Sequence, residues 1–89
     1  MNANLAAALV LLVDDYAAEA TMTADSRQRR LIRDGQAQLA AILDGVVTGR
    51  ITDDEASAWL DAGRLTLARY RHSRAFVSDL IERIRTSRT

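Results

Sequence analysis

Residues 52–84 read TDDEASAWLDAGRLTLARYRHSRAFVSDLIERI, and the reading of this stretch decides the fold. Thr52 is a good helix cap, and Glu55 stands three residues on, the spacing of a capping box. Asp53, Asp54 and Glu55 fill the first turn, where the helix dipole favours negative charge. Ile51 before the cap and Ala56 after it can form a small apolar staple. No proline follows, and Gly63 is the only glycine in the stretch. Its apolar positions recur in heptads: Leu60, Leu67, Arg74 and Ile81 at one seam position, and Gly63, Tyr70, Val77 and Ile84 at the other. Trp59 and Leu80 flank the seam, and Trp59 is expected in the core. Arg74 interrupts the pattern. Either a helix ends near His72-Ser73 and a fourth begins with Ser73 as cap, or Arg74 lies at a chain–chain seam with an acidic partner. Phe76 fits one continuous seam poorly, so a break or kink there is the favoured expectation.

Working upstream, Gly49-Arg50-Ile51-Thr52 specifies a corner: glycine to stop a helix, then staple, then cap. So short a connection makes the flanking helices antiparallel neighbours. The helix before it is expected from about Ser26 to Val47. Ile32, Leu39, Ile42 and Val46 form its apolar face, flanked by Leu31 and Leu43. Gly35 lies on that face at a cost of about 1 kcal/mol relative to alanine, which suggests close approach of a neighbouring helix. Thr21 to Asp25 holds poor helix formers, and Asp25 with Gln28 makes a second capping pair, so a turn is expected there; a bent continuous helix is the alternative. The first helix, capped by Asn2 or Asn4, is expected to run to about Ala20. Leu5, Leu9, Leu12 and Tyr16 give the helical stripe, while Val10, Leu11 and Val13 widen it around most of the circumference. Such a helix is expected to be surrounded, by other helices of a bundle or by a second chain.

The fold expected is therefore all-α: one domain over 1–89, a small bundle of three or four antiparallel helices, associating as a helical dimer. At 89 residues the chain can bury roughly 64% of its unfolded surface. That supports a thin core, with only Tyr16, Trp59, Tyr70 and Phe76 as aromatics, and thin helical cores gain from self-association.

Several function classes find no support in the residues. There is no cysteine and a single histidine, His72, so metal–thiolate and multi-histidine sites within one chain are out. His72 has no serine or aspartate at a catalytic spacing, and consecutive Asp53, Asp54 and Glu55 point in different directions around a helix. Gly45 and Gly49 lack the lysine and hydroxyl of a phosphate loop. No enzyme activity and no cofactor are expected. Leu5 to Val13 is too short to span a bilayer and lacks a basic flank, so no membrane association and a cytoplasmic location are expected.

Net charge is zero, but the charges come in blocks. Residues 1–26 carry −4, Arg27, Arg29, Arg30 and Arg33 give +4, residues 34–62 carry −5, and residues 63–89 carry +5, with Arg88 included. Antiparallel packing can set acidic blocks beside basic ones. The cluster Arg27, Arg30 and Arg33 opposes its helix dipole, and Arg64, Arg71 and Arg85 share one heptad position with Arg74 nearby; these seven are the candidate partner-binding residues. The expected function is a non-enzymatic protein–protein interaction module acting through a helix face, as an adaptor, an assembly factor or a small inhibitor. A virus-encoded antagonist such as an anti-CRISPR belongs to that last group, though no residue selects it. The protein partner is unknown, with a homo-oligomer expected. The alternative is a nucleic-acid-binding protein using its arginine-rich helix faces; nucleic acid is less favoured because zero net charge and the lack of a helix-turn-helix stand against it.

Overall fold

In the computed structural model, which describes residues 2–87, the chain forms three helices and, among the described residues, no strand. Helix α1 spans Ala3–Met22, α2 spans Ser26–Val47 and α3 spans Asp53–Ser87. Each start is capped by a side chain. Asn2 Oδ1 accepts from the amides of Asn4 and Leu5 at 3.0 and 3.2 Å. Asp25 Oδ1 accepts from Gln28 N at 2.9 Å, and Thr52 Oγ1 accepts from Glu55 N at 3.1 Å. These bonds satisfy amides that a helix start leaves without a partner.

The corner between α2 and α3 is built around two glycines. Gly49 has φ +78°, a left-handed conformation that closes the helix and strains any other residue. The amides of Arg50 and Ile51 both donate to Gly45 O, at 2.8 and 3.0 Å. The Ile51 side chain lies directly over Gly45, filling the space a Cβ there would need. The expected staple partner, Ala56, is buried in the core, which Ile51 also packs against.

The core consists of Leu9, Leu12, Tyr16 and Ala20 from α1, Ile32, Leu39 and Val46 from α2, and Ala56, Leu60 and Leu67 from α3. Tyr16 is its pivot. Its ring lies against Gly35 of α2, where an added Cβ would come within 2.9 Å of Cε2. The close approach expected at Gly35 is thus that of an aromatic ring. The Tyr16 hydroxyl crosses to α3 and donates to the Gly63 carbonyl at 2.7 Å, and the ring meets Tyr70 edge-on with centroids 6.4 Å apart. Gly63 is crowded as well: a Cβ there would lie 2.8 Å from Leu12 Cδ2. Leu12 at Gly63 and Glu19 at Arg74 meet in the same order along both helices, so α1 and α3 run parallel, with α2 antiparallel to both.

Three expectations need correction. Helix α3 continues unbroken through Ser73. Arg74 does not disrupt it, because its guanidinium leaves the apolar surface for a carboxylate on α1. Second, the chain's own helices do not surround α1: Val10 and Leu11 on its outer side are exposed, Leu11 by 65%. Two neighbouring helices cover only one side of a cylinder, and a third apolar face is left in solvent. Third, Trp59 is 42% exposed and stands at the edge of the core.

Lengths matter as much as faces. At 1.5 Å per residue, α1 and α2 reach about 30 and 33 Å, while α3 reaches about 52 Å. The molecule measures 59 × 19 × 15 Å, so α3 sets its long axis. Its last turns extend past Met22 and Ser26, the ends of the other two helices.

Candidate functional site: the open face of helix α3

Along α3 two heptad seams overlap and share Gly63, Tyr70, Val77 and Ile84. The first adds Leu60, Leu67 and Arg74 and faces the body; Leu60, Gly63 and Leu67 are buried. The second adds Trp59, Thr66, Ser73 and Leu80 and faces outward. Beyond Arg74 both seams lose their cover. Phe76 is 63% exposed, and Val77, Leu80, Ile81 and Ile84 are 47–49% exposed. Spaced at three and four residues, they form a continuous apolar stripe rather than scattered single residues, and such patches mark contact sites.

The outward seam borders an open cleft between α2 and α3. Its upper part is lined by Leu31, Asp34, Gln38, Trp59, Thr66 and Tyr70. Its lower part is lined by Met22, Arg27, Leu31, Tyr70, Val77 and Ile81, with Arg74 at its wall. Leu31 and Tyr70 belong to both parts, so the cleft runs along α3 toward the projecting end. Leu31 is itself exposed, although it flanks the apolar face of α2.

Where the body ends, a buried carboxylate ties α3 to α1. Glu19 is buried, with 1% of its side chain exposed, and Arg74 grips both of its oxygens: Nε donates at 2.6 Å and Nη2 at 3.2 Å. Glu19 O in turn accepts from Thr23 Oγ1 at 2.7 Å. Hydrogen bonding to the Glu19 carboxylate, with its charge, raises the Arg74 pKa above its ordinary value. Burial raises the Tyr16 phenol as well, helped by the neighbouring Tyr70.

The seven candidate arginines do not form one surface. Arg74 is engaged by Glu19. Arg71 faces α1, with Asp15 at 3.8 Å between two exposed side chains, a contact of little energetic weight. Arg64 and Arg85 are exposed on α3. On α2, Arg27 reaches the cleft that Arg74 also lines, while Arg30 and Arg33 are exposed and Arg33 donates to Gln36 Oε1 at 3.1 Å. Arg29 of the same cluster donates to the Thr23 carbonyl at 3.3 Å, closing the α1–α2 turn. Arg88 lies outside the described residues. The exposed apolar stripe was the feature that charge reasoning passed over. Its signal was available as the second set of heptad positions beginning at Trp59.

Among the described residues no three metal-ligating side chains come together, and no helix is long and apolar enough to cross a membrane. The chain matches no family model, no curated protein and no solved structure.

Proposed function

We propose that the protein is a non-enzymatic protein–protein interaction module that works through the open face of α3. The observation that carries this reading is the apolar seam from Trp59 to Ile84, which continues past the helices that cover its first half. Exposed tryptophan beside a cleft is a common anchor in protein interfaces, and Trp59 stands at the cleft with Leu31 and Tyr70. Salt-bridged and dispersed arginines favour this reading over nucleic-acid binding, which needs several cations on one surface.

The test is site-specific photocrosslinking in nuclease-treated native extract. A photoreactive residue replaces Val77 on the seam or, as control, exposed Ala68. A discrete protein adduct from position 77 and none from position 68 is the expected result. Equal adducts from both positions, or none from either, refute the reading. Adducts that vanish on nuclease treatment transfer the function to the arginines.

A further inference from the structure

We infer that the occupant of this seam is a second copy of the chain, its α3 running antiparallel to the first, with the two-fold axis near Arg71–His72. The inference rests on the interaction reading above and names the partner. Three observations carry it.

Charge along α3 is polarised. Residues 53–69 hold Asp53, Asp54, Glu55 and Asp61 against Arg64 and Arg69, a net −2. Residues 71–87 hold Arg71, Arg74, Arg83 and Arg85 against Asp79 and Glu82, a net +2. Two such helices side by side attract when antiparallel and repel when parallel. The exposed apolar side of α1 offers no such match. It has no basic residue, and pairing it with itself brings Asp14 and Asp15 toward their copies.

The seam is also complementary to itself in size. With the ends of the two helices nearly flush, one antiparallel register stacks every outward seam residue on another. Trp59 lies beside the partner's Ile84, Gly63 beside the partner's Leu80, Thr66 beside the partner's Val77, and Tyr70 beside the partner's Ser73. Small residues oppose large ones in the inner layers, as interdigitated packing requires.

Length supplies the third observation. The projecting end of α3 leaves Phe76, Val77, Leu80, Ile81 and Ile84 about half exposed or more, and the cleft between α2 and α3 is open along Trp59, Leu31 and Tyr70. In this register the projecting end of one copy lies along the cleft of the other. Each half of the dimer then becomes a four-helix packing, α1, α2 and α3 with the partner's α3. The contact is isologous and closed, so it stops at two chains.

The test uses the purified chain alone, at high micromolar concentration. Sedimentation equilibrium is expected to give twice the mass of the 9.8 kDa chain. Because the chain has no cysteine, single substitutions report geometry with a short bis-maleimide. Ser73→Cys lies about 4–5 Å along the axis from its copy and is expected to cross-link to itself; Ala62→Cys lies about 28 Å from its copy and is not. Ile84→Glu is expected to reduce the mass to one chain while helical circular dichroism is retained. A monomer at high concentration overturns the inference. Cross-linking at both cysteines indicates a parallel pair and overturns it, and a dimer linked at neither places the contact on another face. A monomeric chain that still forms position-dependent adducts in extract refutes the second copy and leaves the interaction reading standing.

Discussion

Helix α3 carries the same apolar spacing from Ala56 to Leu67 as from Val77 to Ile84, yet the first half is buried and the second is open. The covered half meets Leu12, Tyr16 and Leu39 within the chain. The open half is about half exposed or more, because α1 and α2 are too short to run along it; Val77 and Ile81 border the cleft with Met22 and Arg27, and Ile84 extends beyond. A heptad pattern states that a helix needs a partner; it does not state which molecule supplies one. What separates the halves is chain length upstream, since about 30 Å of α1 cannot cover about 52 Å of α3.

The largest expected break in this comparison is on the covered side. Leu39→Asp buries an unpaired charge against Leu12 and Gly63 and is expected to cost more than about 4 kcal/mol, unfolding the domain. Retention of native helical circular dichroism and melting would show that the covered half is misplaced. Next comes a matched pair of truncations measured by denaturant unfolding at submicromolar concentration. Leu67→Ala is expected to cost about 2–5 kcal/mol as a core cavity, and Ile84→Ala no more than about 0.5 kcal/mol as a surface change. Equal losses would mean that both halves are packed within one chain.

A smaller contrast separates two arginines on the same helix. Arg74→Ala leaves the buried Glu19 carboxylate without its cation and is expected to lower the melting temperature, with Arg74→Lys restoring part of the loss. Arg85→Ala, at an exposed position, is expected to leave it unchanged. The smallest effect concerns pH. The Tyr16 phenol is raised by burial, so the folded chain holds this proton more tightly than the unfolded chain does. Stability from this group is complete below about pH 10 and is lost as pH rises through the folded value. Denaturant midpoints are expected to fall above pH 10, with a shallower fall in Tyr16→Phe; identical slopes would remove Tyr16 from the account.

The sequence made the helices and their ends legible because local chemistry fixes them. Asn2, Asp25, Thr52 and Gly49 act within their own turns, and each takes its expected place. It also placed Ile32, Leu39 and Val46 on one face, since periodicity reports a face directly. What it left open were contacts across the chain. Arg74 read as an interruption because its partner, Glu19, lies 55 residues away on another helix. Trp59 read as core because residue type reports hydrophobicity, and its exposure depends on how α2 and α3 are spaced along their cleft. Three of the seven arginines cluster at a helix start and the other four lie at or beside one heptad position, and helix packing disperses them between α1, the cleft and solvent.

The Glu19–Arg74 pair has one more consequence. A body held only by leucines and alanines tolerates slippage of one helix past another by a turn, because one methyl surface substitutes for the next. A buried carboxylate does not allow this. Moving α3 by one turn, about 5.4 Å, would carry Arg74 away from Glu19 and strand a charge among apolar groups. The pair therefore serves as an index mark that sets how far α3 projects, and with it how much of the seam the molecule offers to anything outside itself.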